Sequence, residues 1–267
     1  MENSFLIVTF NLRTTVPDDG INNFIHRVGM ILQKIQSERP DVIAFQEMTD
    51  TSERYLSAQL TDYTIFFNKR CADLSGEGLG IAVKKERLSL IGLDGFWLSP
   101  TPKEPGSRFE EQSPYPRVCQ CALLQCRQTG KVFRLYNVHL DHISHPARIQ
   151  GIRCLLTYAA ERHKELPTPF FMLGDFNAEP DSETIRFSDH YEEMPIYDMV
   201  RECGFDMTYH GYRLADPLYI DYIYADKQTA AAEHTAGHWD DEKDGVFLSD
   251  HYPLYVRVDK SFLGVED

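Results

Sequence analysis

Several kinds of segment are missing from this sequence, and each absence removes a class of protein. No run of about 18 apolar residues occurs, so neither a membrane-spanning helix nor membrane insertion is expected. The first residues, MENSFLIVTFNLR, lack a basic region ahead of their short apolar run. They read as a first strand and not as a secretion signal, which makes the cytoplasm the expected compartment. No basic run is present either: 27 Lys and Arg residues against 41 Asp and Glu give a formal net charge of −14. A protein that tracks a nucleic-acid backbone presents a basic stripe and releases counterions, so long duplex DNA is not the expected substrate. The six cysteines, at 71, 119, 121, 126, 154 and 203, form no Cys-x-x-Cys pair and no zinc-type spacing with histidine. They read as small buried hydrophobes in a reducing compartment, with Cys119 and Cys121 on one face of a strand.

What remains is a globular composition, 42% apolar and 25% charged over 267 residues, which suits one large core and a single domain over 1–267. The segment SFLIVTF (4–10) reads as a buried strand ending at Asn11. After a loop, Ile21, Phe24, Ile25, Val28, Ile31, Leu32 and Ile35 recur at helical spacing up to Pro40. DVIAFQE (41–47) then returns as a strand ending on Glu47, which completes a βαβ unit. From 62 to 127 short runs separated by turns (YTIFF, LGIAVKK, LSLIGL, VCQCALLQC) suggest antiparallel strands. Between the last two lies Trp97–Pro116, which holds five prolines and reads either as a substrate-facing loop or as a surface excursion.

The second half repeats the first. VFRLYNVHL ends at His139, Asp141 and His142, a helical pattern follows, and after Pro167 the strand PFFMLG runs into Asp175, Asn177, Glu179 and Asp181. Asn11 to Glu47 and His139 to Asp175 are both intervals of 36 residues, as a degenerate internal repeat would give. Two later strands carry Asp221 and, just ahead of the last, Asp250 and His251. Glu179 and Asp181 are expected in the turn and cap of the next helix. Polar groups at the carboxyl ends of buried strands are where open α/β sheets place ligands, although Asp, Asn and Pro are also ordinary turn residues. Carboxylates, amides and histidines together suit an oxygen-loving divalent ion, Mg²⁺ or Mn²⁺, and proton transfer.

The motifs TFNLR (9–13), DVIAFQE (41–47), NVHLDH (137–142), GDFNAEP (174–180), IDYIY (220–224) and SDHYPL (249–254), in this order, resemble the endonuclease/exonuclease/phosphatase superfamily with the DNase-I-like fold. The FWLSPTPKEPGS segment (96–107) and HLDH are similar to a bacterial branch related to the deadenylase-like members. The resemblance implies a four-layered α/β sandwich, two mixed β-sheets packed face to face with helices outside. It implies a Mg²⁺- or Mn²⁺-dependent phosphoesterase acting on a small phosphoester or a short single-stranded nucleic acid, or alternatively on a sugar, inositol or lipid headgroup. Glu47 would be the main metal ligand, with Asn11 beside it and Asp250 completing the site. Asp175 would ready the attacking water with help from Asn177, and His251, its tautomer fixed by Asp221, would stabilise transition-state charge or pass a proton. His139 would contact the scissile phosphate and Arg117 would clamp a phosphate, with Arg13, Arg108 and Arg148 weaker candidates for that clamp. Two rival readings are a catalytically silent module on this scaffold and an unrelated acidic interaction protein. The latter requires these groups to lie more than about 15 Å apart, because reacting groups must come within hydrogen-bond reach of one another.

Overall fold

The computed structural model describes residues 4–212 and 216–264. In chain order the strands are β1 (Ser4–Asn11), β2 (Val42–Met48), β3 (Tyr63–Lys69), β4 (Gly78–Lys84), β5 (Leu88–Trp97), β6 (Val118–Cys126), β7 (Val132–His139), β8 (Phe170–Asp175), β9 (Tyr197–Asp198), β10 (Asp221–Ala225), β11 (His234–His238), β12 (Glu242–Lys243), β13 (Val246–Phe247) and β14 (Leu254–Asp259). The helices are α1 (Phe24–Glu38), α2 (Asp50–Gln59), α3 (His145–Glu165), α4 (Glu183–Asp189) and α5 (Lys227–Ala231).

Two six-stranded mixed sheets form, in the orders β11-β14-β1-β2-β4-β3 and β5-β6-β7-β8-β10-β9, and β12-β13 is a separate short hairpin. The alternation of each strand decides what packs where, because successive side chains point to opposite faces. Phe5, Ile7, Val42, Ala44 and Ile81 of the first sheet meet Leu124, Phe133, Leu135, Phe171, Leu173 and Ile223 of the second in one buried layer. The opposite face of the first sheet, including Leu6, Val8, Phe10 and Phe45, packs on Phe24, Val28, Ile31 and Ile35 of α1 and Leu56 of α2. That of the second, including Tyr136, Val138 and Met172, packs on Ile152, Leu155 and Leu156 of α3 and Ile185 of α4. The result is the helix–sheet–sheet–helix sandwich.

Both expected βαβ units are present: β1 pairs parallel with β2 and β7 with β8. The runs between 62 and 127 pair antiparallel, as expected. α1 begins at the Asn23 cap and α4 at the Ser182 cap, whose side chain accepts from the Ile185 amide. Helix α2 was not expected. It starts on a Thr49–Ser52 capping box, but of its residues only Ser52 and Leu56 are buried, too sparse an apolar face for periodicity to reveal. The cysteines divide: Cys119, Cys121 and Cys126 are buried, whereas Cys203 is exposed and Cys71 and Cys154 half-buried, which corrects the expectation for those three.

Candidate active site

Because inward-facing residues recur every second position, the residues that continue the buried layer to the strand ends are Thr9 and Asn11 on β1, Asn137 and His139 on β7, Asp175 on β8 and Asp221 on β10. On the second sheet the last three lie in register, His139 beside Asp175 and Asp175 beside Asp221. Glu47 breaks the pattern. Simple alternation puts it with Ile43 and Phe45, facing the helices, but its φ of 55° and a register shift between Phe45 and Met48 re-aim it toward the cavity.

Asn11 holds the two sheets' groups together. Its Nδ2 donates to Asp175 Oδ2 at 3.0 Å and to Glu47 Oε1 at 3.3 Å, and lies 3.3 Å from His251 Nε2. Its Oδ1 accepts the Arg13 amide at 2.9 Å. The nitrogen therefore faces the carboxylates, and the oxygen expected to coordinate a metal already has a backbone partner. His139 Nε2 and His251 Nε2 stand 3.4 Å and 3.7 Å from Asp175 Oδ2, and His251 Nδ1 meets Asp221 Oδ2 at 2.8 Å. Ligand atoms of Asp175, Asp221 and His251 all lie within 4.8 Å of one another. Such proximity rules out the reading in which these motifs are scattered turns.

The GDFN turn shows why its residues are needed. Gly174 has φ +146°, and a Cβ there would stand 1.9 Å from the Val138 carbonyl oxygen, so only glycine lets β8 approach β7 so closely. Asn177 takes φ 48°, its amide donates to Asp175 Oδ1 at 2.8 Å and its side chain donates to the Leu140 carbonyl at 3.1 Å. A short polar side chain is among the few that tolerate that left-handed position.

Burial and neighbours separate the acids. Burial, reinforced by Asp221, pushes the Asp175 carboxyl up to about 7. Burial works in the same direction on Glu47, yet the Thr14 amide (2.7 Å), His251, Arg13 and the Asn11 amide outweigh it and hold Glu47 below the usual carboxylate range. Asp250 is raised by burial and Glu47, against His251 and Arg13, which lies 3.6 Å away. Burial opposes the charged form of His251, but Asp221, Asp175 and Asp250 push its imidazole up to about 10. Burial, Arg117 and Arg70 hold His139 well below the ordinary histidine value, so it is neutral.

These groups face a cavity of about 580 Å³ lined also by Arg13, Arg117 and Asn177. Asn11 and Asp221 sit behind its wall, bonded to the groups that line it. Arg108 and Arg148 are elsewhere: Arg108 is exposed and donates within its own loop to the Gln112 carbonyl, and Arg148 donates to the Asp141 carbonyl. Glu179 and Asp181 lie outside the cavity wall, in the turn before α4 as expected, but the cap itself is Ser182. The proline-rich segment reaches the cavity only at its end, through Tyr115. The sequence alone did not single out Arg70, Glu77 or Tyr209. Tyr209 packs edge-on to His251 at 4.9 Å. Arg70 and Glu77 flank a turn-rich stretch and pair at 2.5 Å. Burial and Glu47 push Glu77 up to about 7 despite Arg70.

The model of the endonuclease/exonuclease/phosphatase family matches residues 8–251, from β1 through His251. The chain belongs to this family. Solved structures of the endonuclease/exonuclease/phosphatase fold superpose over nearly the whole chain. An endonuclease/exonuclease/phosphatase protein from Bacteroides vulgatus is 24% identical with a TM-score of 0.86, covering 96% of this chain and 98% of its own. A conserved protein of unknown function from Enterococcus faecalis V583 is 28% identical with a TM-score of 0.83, covering 96% and 100%. A mannosyl-6-phosphatase from Bacteroides thetaiotaomicron is 21% identical with a TM-score of 0.83, with the same coverage. No curated protein matches the sequence.

Proposed function

We propose that this chain is a divalent-metal-dependent phosphoester hydrolase, a cytoplasmic enzyme that attacks a small phosphoester with an activated water. The observation that carries this reading is the single Asn11 amide lying within 3.3 Å of Glu47, Asp175 and His251. In-line hydrolysis needs a base for the water, compensation of charge on the nonbridging oxygens and help for the leaving oxygen. Asp175, with a carboxyl near 7, is suited to take the water's proton, and the Asn177 amide fixes its Oδ1. His251, held by Asp221, presents a protonated Nε2 to the developing charge, the orienting role a carboxylate has beside histidine. Neutral His139 is suited to donate to the phosphate or to the leaving oxygen.

The residues fit a hard divalent ion on the Glu47 side. There, Glu47 and Asp250 both line the cavity within the field of Arg13 and His251, and their carboxylate oxygens are the donor type that suits Mg²⁺ or Mn²⁺. Glu47 and Asp250 would hold it, and when bound it would supply charge neutralisation on the phosphoryl oxygens. The Asp175–Asp221–His251 cluster is the less suited holder, since His251 Nδ1 is engaged with Asp221.

The cavity volume and the negative net charge support a small polar ester or a short single-stranded fragment over duplex DNA. The fold neighbour named as a mannosyl-6-phosphatase supports sugar phosphates as a substrate class to include. The test is a panel of mono- and bis-nitrophenyl phosphates, dinucleotides, single-stranded RNA and DNA, and sugar and inositol phosphates, with Mg²⁺ or Mn²⁺. Hydrolysis should vanish with a chelator and in Asp175→Ala and His251→Ala, and full activity in either variant would reject the assignment.

A further inference from the structure

One buried polar bridge joins the two sheets just in from the strand ends, and nothing in the proposed reaction uses it. Asn137, the first residue of the NVHLDH motif, lies on β7 two positions before His139, is fully buried and is not part of the cavity wall. Its Nδ2 donates to the Phe45 carbonyl of β2 and to the Gly80 carbonyl of β4, each at 3.0 Å. Its Oδ1 accepts from Gln46 Nε2 at 2.8 Å, and Gln46, also fully buried, donates from the same nitrogen to the Ala44 carbonyl at 3.1 Å. The donors and the acceptor of the Asn137 amide are all committed to the first sheet.

These partners surround the irregularity that aims Glu47. Phe45 pairs with Gly80 and the next pair is Met48 with Gly78, so Gln46 and Glu47 together stand opposite the single residue Leu79. An extra residue of this kind bends its strand and re-aims a side chain. Phe45 and Gly80 are the last regular pair before it, and both of their carbonyls accept from Asn137. Beyond it Met48 occupies the space over Gly80, where a Cβ would stand 2.5 Å from the Met48 sulfur. The left-handed φ of 55° at Glu47 is a costly backbone state for a long side chain and persists only where its surroundings hold it. Regular alternation, the alternative, returns Glu47 toward the helices.

We propose that Asn137 is a positioning residue for Glu47: it holds the β2 bulge from the opposite sheet and so keeps the carboxylate aimed into the cavity, where a divalent ion would meet it. The link to the ion rests on the phosphoesterase reading, but the hold on Glu47 does not. The first measurement therefore needs no metal. The Thr14 amide donates to Glu47 Oε2 at 2.7 Å, a bond that requires Glu47 to face the cavity, so hydrogen exchange of this amide, followed by NMR with chelator present, reports the aim of Glu47. Asn137→Leu, close in shape but without donors, should speed this exchange about tenfold. The second measurement is calorimetric titration with Mn²⁺ alone, in which Asn137→Leu should weaken binding about tenfold, as loss of a group that orients a metal ligand does. Leu156→Ala, a truncation between α3 and the outer face of the second sheet, controls for general loosening and should move neither. If thermal melting shows that Asn137→Leu does not fold, Gln46→Met takes its place; it removes one partner of Asn137 and keeps the two bonds to the carbonyls, so changes of about threefold are expected. Unchanged Thr14 exchange in the folded variant, or an equal change in Leu156→Ala, overturns the proposal. Faster exchange with unchanged Mn²⁺ affinity overturns the link to the ion. A wild type that binds no Mn²⁺ but whose Thr14 exchange depends on Asn137 upholds the hold on Glu47 and removes the divalent-ion reading.

Discussion

The β1-α1-β2 and β7-α3-β8 units are two versions of one device put to different uses. Each ends its strands in a pair of polar residues 36 positions apart, Asn11 with Glu47 and His139 with Asp175. Each also uses an arginine at the fourth position of its helix to bind the carbonyl two residues beyond the first strand's end. Arg27 reaches the Arg13 carbonyl at 3.2 Å and Arg148 the Asp141 carbonyl at 3.0 Å. The acids nevertheless move in opposite directions, Glu47 down and Asp175 up to about 7. Both acids accept a backbone amide, Thr14's at Glu47 and Asn177's at Asp175, but Glu47 also has Arg13 beside it, whereas Asp175 is buried beside Asp221. Position in the fold thus does not assign a carboxylate its chemistry; the charges and donors next to it do.

The sharpest break of this comparison is to neutralise each acid in turn. Asp175→Asn should lower kcat by about a thousandfold or more at any metal concentration, as loss of a general base does. Glu47→Gln should cost activity that raised Mg²⁺ or Mn²⁺ partly restores. Metal-dependence curves of kcat distinguish the two, and equal rescue of both variants would erase the division of roles.

Next come the backbones. Gly174 on β8 corresponds to Gln46 on β2, but only the former tolerates no Cβ. Gly174→Ala should destabilise the fold by about 3 kcal/mol or more in denaturant unfolding, through steric overlap at a positive φ. The two helix arginines should also differ. Arg27 is fully buried and donates to the carbonyls of Leu12, Arg13, Asn22 and Leu248, whereas Arg148 is half-buried with its one bond. Arg27→Met should cost about 2–4 kcal/mol in the same assay and Arg148→Met about 1 kcal/mol or less, because orphaned buried carbonyls dominate the first loss.

The last prediction isolates burial itself. Asp198, on β9 at the edge of the second sheet, is raised from the ordinary 3.8 to about 6 by burial, against the Val200 amide and Arg201. The folded chain therefore holds this proton more tightly than the unfolded chain, and its contribution to stability falls as pH rises from about 4 through 6. Asp198→Asn should stabilise the protein by about 1–3 kcal/mol above pH 6 and flatten that slope, read from unfolding at pH 4 and 7.

The sequence was most legible where physics acts locally. Strand ends, the two parallel units and the polar residues that punctuate them follow from periodicity, and they led to the groups now found around one cavity. Glu47's aim was hidden, because strict alternation turns it toward the helices and only a left-handed residue in a bulge reverses it. Arg70 and Glu77 were hidden for a different reason. They belong to a turn-rich stretch without period, and they acquire meaning only when the chain brings Tyr115 and Arg117 against them from across the molecule. Arg148 carried the opposite error, an arginine beside a promising motif that serves a carbonyl instead.

The Asn11 amide touches partners 36, 164 and 240 positions away in sequence. During synthesis at roughly 5–20 residues per second, the first of these contacts can form early, but the last waits for residue 251 to leave the ribosome. The nascent chain therefore spends most of its synthesis with these groups dispersed. Because loops of this span are slow to close, assembly of the proposed catalytic set reports completion of the whole two-sheet structure, and a truncated chain would carry some of these groups without bringing them together.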